Sequence, residues 1–97
     1  MPKYIALMNW TNEGIKNVKK STQRLDIAKK TIEAAGGRID DIYLTMGQYD
    51  LVAIAEFPSD EVAAEVMLRL GSGGSIRTKT MKAFTEGQYR KIISKVA

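Results

Sequence analysis

Two runs decide the fold: Tyr4-Ile5-Ala6-Leu7-Met8-Asn9-Trp10 and Asp50-Leu51-Val52-Ala53-Ile54-Ala55-Glu56-Phe57. Each has strand length, and side chains alternate across a strand, so the first run shows Tyr4, Ala6, Met8 and Trp10 on one side and Ile5, Leu7 and Asn9 on the other. The second shows Leu51, Ala53, Ala55 and Phe57 against Val52, Ile54 and Glu56. Both faces of both runs are mainly apolar. Two further runs are less so. Ile39 to Met46 alternates Ile42, Leu44 and Met46 against Asp41, Tyr43 and Thr45, and Ile76 to Phe84 carries Arg77, Lys79 and Lys82. Strands that are apolar on both sides suit the middle of a sheet, and charged strands suit its edges, where lysine and arginine discourage stray pairing.

Between the first two strands, Ile15, Val18, Thr22, Leu25, Ala28 or Lys29, and Ile32 recur every three or four residues, which predicts a helical stripe facing a core. Thr11 is the expected N-cap and Gly36 the residue just past the C-terminus. One straight helix over this stretch would run about 36 Å, longer than the ~26 Å strand beneath it, so a break is expected at Lys19-Lys20-Ser21. A second helix is capped by Ser59, sets Val62, Ala63, Val66, Met67 and Leu70 on one face, and stops at Gly71. A third amphipathic stretch, Glu86 to Val96, places Tyr89, Ile92, Ile93 and Val96 together. Gly47-Gln48 is expected as a tight hairpin turn.

The order strand, helix, strand, strand, helix, strand, with a terminal helix, is the split βαβ pattern. It predicts a single α+β domain over residues 1–97, ferredoxin-like βαββαβ, with an antiparallel four-stranded sheet whose first and third strands lie centrally. If helices cover one face, the other should be polar, yet the central strands are apolar on both. A second copy of the chain packed sheet against sheet, a dimeric α/β barrel, is the economical cover.

With 44% hydrophobic and 27% charged residues the chain is globular. It contains no His and no Cys. That removes imidazole bases, thiolate nucleophiles, disulfides and the usual zinc or copper sites, and leaves a carboxylate-held Mg²⁺ or Mn²⁺ or chemistry carried by a ligand as the open alternatives; no metal or cofactor is expected. The net charge of +4 divides into +5 over residues 1–30, −6 over 31–76 and +5 over 77–97. Basic residues are not concentrated with aromatics, so no nucleic-acid partner is expected. The opening apolar run is too short for a signal peptide or a membrane span, which predicts a cytoplasmic protein with no membrane partner.

Trp10-Thr11-Asn12-Glu13-Gly14-Ile15, Arg24, Gly36-Gly37, Tyr43 to Asp50, Pro58 and Ile76-Arg77-Thr78-Lys79-Thr80 together resemble the GYD family, whose Gly-Tyr-Asp element is here spelled Gly47, Gln48, Tyr49, Asp50. The resemblance covers Tyr4 to Phe84. It implies a ferredoxin-like fold of the dimeric α/β-barrel kind and carries no catalytic residues over.

The residues able to hold a ligand are Trp10, Arg24, Tyr43, Tyr49, Asp50 and Arg77, expected around one pocket between sheet and helices. Each has a plainer role. Asp50 follows a glycine turn and either bonds nearby amides or serves as a general base; it is the one weak catalytic candidate. Arg24 either pairs locally or recognises an anion. Trp10 either closes the core or stacks on a ligand. Ser72-Gly73-Gly74-Ser75 follows a helix and precedes a strand, the reverse of a phosphate loop. Arg77 and Lys79 on one face dress an edge strand or a subunit seam. The leading expectation is a homodimer binding a small anionic or aromatic organic molecule in an accessory or sensing role. The alternatives are a cofactor-free oxygenase, isomerase or lyase, or a structural interaction module.

Overall fold

The computed structural model describes residues 1–96. The elements run β1 (Lys3–Trp10), α1 (Asn12–Lys16), a 3-10 turn (Val18–Lys20), α2 (Ser21–Ala34), β2 (Arg38–Leu44), β3 (Leu51–Glu56), α3 (Asp60–Ser72), β4 (Ile76–Ala83) and α4 (Glu86–Ser94). The four strands form one antiparallel sheet in the order β2-β3-β1-β4, with the two doubly apolar strands in the middle. The fold is therefore α+β and ferredoxin-like, as the pattern of apolar faces predicts.

One face of the sheet is closed by α2 and α3. Tyr4, Ala55 and Phe57 pack there with Ile32 of α2 and Ala63 and Val66 of α3, and Ala6, Met8 and Ala53 continue the core toward the other end. Ile39 and Ile42 both pack on this side although they are three residues apart. A bulge between Ile39 and Asp41 permits it: the register runs Ile39↔Ala55, Asp41↔Ile54 and Ile42↔Ala53, leaving Asp40 as the extra residue.

Three expectations need correction. The helical break lies at Asn17 to Lys20, close to its expected place, but the first half of the stripe is not core: Ile15 is 51% exposed and Val18 38%. The docking surface of α1 is Gly14 instead, which approaches Ser75 so closely that a Cβ would lie 2.0 Å from its carbonyl oxygen. Ile15, one position on, is turned outward. Second, β2 ends at Leu44 rather than running to Met46, and Leu44 and Met46 are exposed. Third, the β2–β3 connection is a loop over residues 45–50, not a two-residue turn; the Thr45 amide donates to the Asp50 carbonyl at 2.8 Å to close it, and Gly47 has φ 123°. Helix α3 starts as expected, with the Ser59 hydroxyl accepting from the Val62 amide, and runs one residue beyond Gly71.

Helix α4 begins with a complete capping box between Thr85 and Gln88, then stands away from the body. All of its residues are exposed, among them Tyr89, Ile92 and Ile93, and Val96 beyond its end continues the stripe.

Candidate functional site

Among the described residues, one face of the sheet is left without a covering helix. Strand register orders it into rows. Arg38, Glu56, Lys3 and Ala83 form the first; Asp41, Ile54, Ile5 and Met81 the second; Tyr43, Val52, Leu7 and Lys79 the third; Asn9 and Arg77 lie beyond. Its centre is apolar and half-buried, and no helix covers it.

The first row is an ion network. Arg38 donates to Glu56 at 2.6 Å and to Asp40 at 2.9 Å, and Lys3 lies 3.2 Å from Asp40. Partial burial works against the Asp40 carboxylate, but Lys3 and Arg38 outweigh it and hold Asp40 below the usual aspartate range. Two cations and two carboxylates leave this cluster neutral, suited to fixing a sheet end rather than to catalysis.

At the opposite end the residues are different. The Lys79 ammonium sits 5.9 Å from the centre of the Tyr49 ring, a cation–π contact that brings the β2–β3 loop across the face. Tyr43, 55% exposed, shares a row with Lys79, and Arg77 follows. Tyr43, Tyr49 and Arg77 thus lie on the uncovered side, Tyr43 on the β2 edge and Arg77 on the β4 edge.

The other sequence candidates lie elsewhere. Trp10 shares the side of Tyr4, Ala6 and Met8 and faces Ile76 in register. Arg24 donates to the carbonyls of Asn17 at 3.0 Å and Gly14 at 3.3 Å, capping the end of α1. The Asp50 carboxylate accepts from the Trp10 amide at 3.0 Å. The six residues therefore do not line one pocket. Two surface hollows, one along α4 at Glu86, Tyr89, Arg90, Ile93 and Ser94 and one between α2 and α3 at Thr31, Ala34, Ala35, Glu65, Val66 and Arg69, include none of them. The missed members of the uncovered face are Asp41 and Asn9, which strand alternation alone marks and only the register assembles with Lys79.

The glycine-rich connection presents carbonyls, not amides: Gly74 accepts from the Thr11 hydroxyl at 2.6 Å and Ser75 from the Thr11 amide at 3.0 Å. It is a dock for the start of α1, and a phosphate cradle would need the opposite polarity. Among the described residues no cluster of three or more His, Cys, Asp or Glu is placed to hold a metal ion, and no helix is long and apolar enough to cross a membrane.

The loop that carries Gly47, Tyr49 and Asp50 lies within a match to the GYD domain that spans residues 4–93. The chain belongs to the GYD family. Its Gly-Tyr-Asp element is the device that closes the β2–β3 loop and pins it to β1. A relative of this GYD chain, the glutamine synthetase and cystathionine beta-lyase binding protein of Thermus thermophilus, is 32% identical over 84 residues, 86% of this chain and 88% of the relative. Among solved structures, the feast or famine regulatory protein of M. tuberculosis, complexed with L-methionine, matches with TM-score 0.66 and 10% identity over 88% of this chain and 51% of that one. FFRP-DM1 matches with TM-score 0.61 and 19% identity over 87% of this chain and 100% of that one. These two likenesses establish the shared fold.

Proposed function

We propose that this GYD chain acts by binding: a small cytoplasmic homodimer in an accessory or sensing role, paired through the uncovered sheet face and holding a small anionic or aromatic organic ligand at the polar end of that face. The observation that carries the reading is the bare apolar centre formed by Ile5, Leu7, Val52, Ile54 and Met81. Such a face is stable when a second sheet packs on it about 10 Å away. Pairing would turn Tyr43, Tyr49, Lys79 and Arg77 from a surface into the wall of a crevice, with two rings for an aromatic group and two cations for an anion.

The comparisons support a binding role. The Thermus relative is named for the enzymes it binds, and a neighbour of the same fold was solved with an amino acid. The enzyme alternative rests on Asp50, and one of its carboxylate oxygens is already engaged by the Trp10 amide. Native mass spectrometry of freshly purified protein tests the proposal. A two-chain particle that retains a small molecule supports it. A single chain at micromolar concentration overturns the pairing. A dimer that carries no ligand, and whose melting point is unmoved by amino acids and aromatic carboxylates, overturns the ligand assignment.

A second reading, an adaptor for another protein, is favoured by α4. A nine-residue helix is marginal in water by itself, and this one has its apolar stripe exposed. Measured affinity for the glutamine synthetase of the source organism, lost on removal of α4, would support that reading; equal affinity without α4 would overturn it.

A further inference from the structure

Helix α4 and the cleft between α2 and α3 are two surfaces with matching features. The cleft has a floor of Ala34, Ala35 and buried Val66, with Thr31 on its α2 side and Glu65 and Arg69 on its α3 rim. Two alanines stand on the α2 wall where larger side chains would fill the space, so the hollow stays open. Helix α4 presents exposed Tyr89, Ile92 and Ile93, followed by Val96, at the i, i+3, i+4 and i+7 spacing with which amphipathic helices enter apolar grooves.

The rims match in charge. On α3, Arg69 pairs with Glu65 at 3.0 Å, and on α4, Arg90 pairs with Glu86 at 2.8 Å. Each is a carboxylate followed four residues later by a guanidinium, about 6 Å along the helix. Glu86 and Arg90 flank Tyr89 and Ile93, as Glu65 and Arg69 flank Val66. Two such helices laid antiparallel bring Glu65 to Arg90 and Arg69 to Glu86, whereas a parallel setting stacks glutamate on glutamate and arginine on arginine.

We propose that α4 of one copy seats in the α2–α3 cleft of another copy, antiparallel to α3, with Tyr89 and Ile93 over Val66 and the two ion pairs exchanged between the chains. The contact is independent of the sheet face, and it differs from the adaptor reading in naming a second copy of this chain as the seat. Burial of the stripe supplies the attraction, and the charges fix the direction.

The helix cannot come from the same chain. Helices α3 and α4 begin at the same end of the molecule, since α3 follows Glu56 and α4 follows Ala83, and Lys3 pairs with both of those residues. Antiparallel seating within one chain would set Glu86 beside Arg69, about 14 Å up α3 from Asp60. It would also carry α4 past α3, which packs on β4, toward α2, which packs on β2 at the opposite edge. Only Phe84 and Thr85 separate β4 from α4, a reach of about 11 Å. Entry from the near end runs α4 parallel to α3 and sets like charges side by side.

Cross-linking between differently tagged copies tests the seat, and the absence of cysteine leaves only the introduced thiols. Ala34→Cys in the cleft and Ile93→Cys on α4 are both exposed positions, so neither disturbs the core. Mixed and treated with a short bis-maleimide, they should give a two-chain product in about tenfold excess over Ile93→Cys mixed with Lys19→Cys, which measures chance collision. A product no more abundant than that control overturns the proposal and leaves α4 to another protein. With both cysteines in one chain, the product should still join two chains; a product confined to single chains overturns the second copy as the occupant.

The charges give a readout that chance collision does not move. Arg90→Glu in the Ile93→Cys copy should lower the yield about fivefold, and Glu65→Arg in the Ala34→Cys copy should then restore it to within about twofold. A yield that is unchanged by Arg90→Glu, or that its complement does not restore, overturns the antiparallel setting.

Discussion

The Asp50 carboxylate accepts a hydrogen bond from the Trp10 backbone amide at 3.0 Å, while the Asp50 amide donates to the Met8 carbonyl at 2.9 Å. The β1–β3 ladder proper ends at Met8↔Leu51, so a side chain replaces the next backbone carbonyl and extends the ladder by one step. The aspartate of the family element is thereby a structural acceptor. Asp50→Ala should cost about 1–3 kcal/mol by leaving a partly buried amide without its charged acceptor, whereas Asp50→Asn, which keeps an oxygen, should cost less. Urea unfolding of the two variants checks the difference.

Gly14 and Gly71 are both helical glycines, and they should respond to alanine with opposite signs. At Gly14 a Cβ would collide with the Ser75 carbonyl, so Gly14→Ala should lose about 1–3 kcal/mol despite its better helix propensity. At Gly71 nothing lies within 4 Å of the new methyl, so Gly71→Ala should gain up to about 1 kcal/mol. Thermal midpoints of the pair measure both effects.

The Tyr4 hydroxyl donates to Asp60 beneath α3, and its ring meets Phe57 edge-on at 5.6 Å between centroids. Burial first, then the Asp60 bond and the charges of Asp60 and Glu61, push its pKa from 10.0 up to about 12. A raised folded-state value means that this contribution to stability is complete below pH 10 and is lost as pH rises toward 12. Ultraviolet titration should show one of the four tyrosines ionising late, and Tyr4→Phe should remove that step.

The partner of that bond titrates at the other end of the scale. The Tyr4 hydroxyl, followed by Lys82 at 3.2 Å, holds Asp60 below its usual range. Its contribution is present above about pH 3.8, the ordinary aspartate value, and is lost as pH falls through the depressed folded value. Acid unfolding of Tyr4→Phe should therefore begin at higher pH than that of wild type, as followed by circular dichroism.

Every residue of helix α4 is exposed. Ending the chain after Thr85 should leave the unfolding free energy of a single subunit within about 0.5 kcal/mol of wild type, the range of changes away from packed features. Unfolding measured under dissociating conditions tests the independence of the body from α4.

The centre of the fold was legible because β1 and β3 are apolar on both sides, and that property alone assigns them to the middle of a sheet. The α3 boundaries were legible for a local reason: the Ser59 cap and the apolar periodicity act within a few residues. The stripe over Ile15 and Val18 misled because periodicity reports that a face exists, not which element it meets. Gly14, with no side chain to enter a hydrophobic count, is the residue that docks.

The candidate site divides in the same way. Residue chemistry singles out Trp10, Arg24, Tyr43, Tyr49, Asp50 and Arg77, but no local rule says that the β1 register sets Arg77 opposite Asn9 while Trp10 turns to the other side. By itself the sequence determined the element order and the central and edge strands, which follow from local periodicity, and the lack of imidazole and thiol chemistry, which follows from composition. Only the tertiary structure decided which residues share a face. Strand alternation leaves each strand free to slide or flip, and the backbone hydrogen bonds between β2, β3, β1 and β4 remove that freedom, bringing Tyr49 to Lys79 and placing Asp41 on the opposite edge.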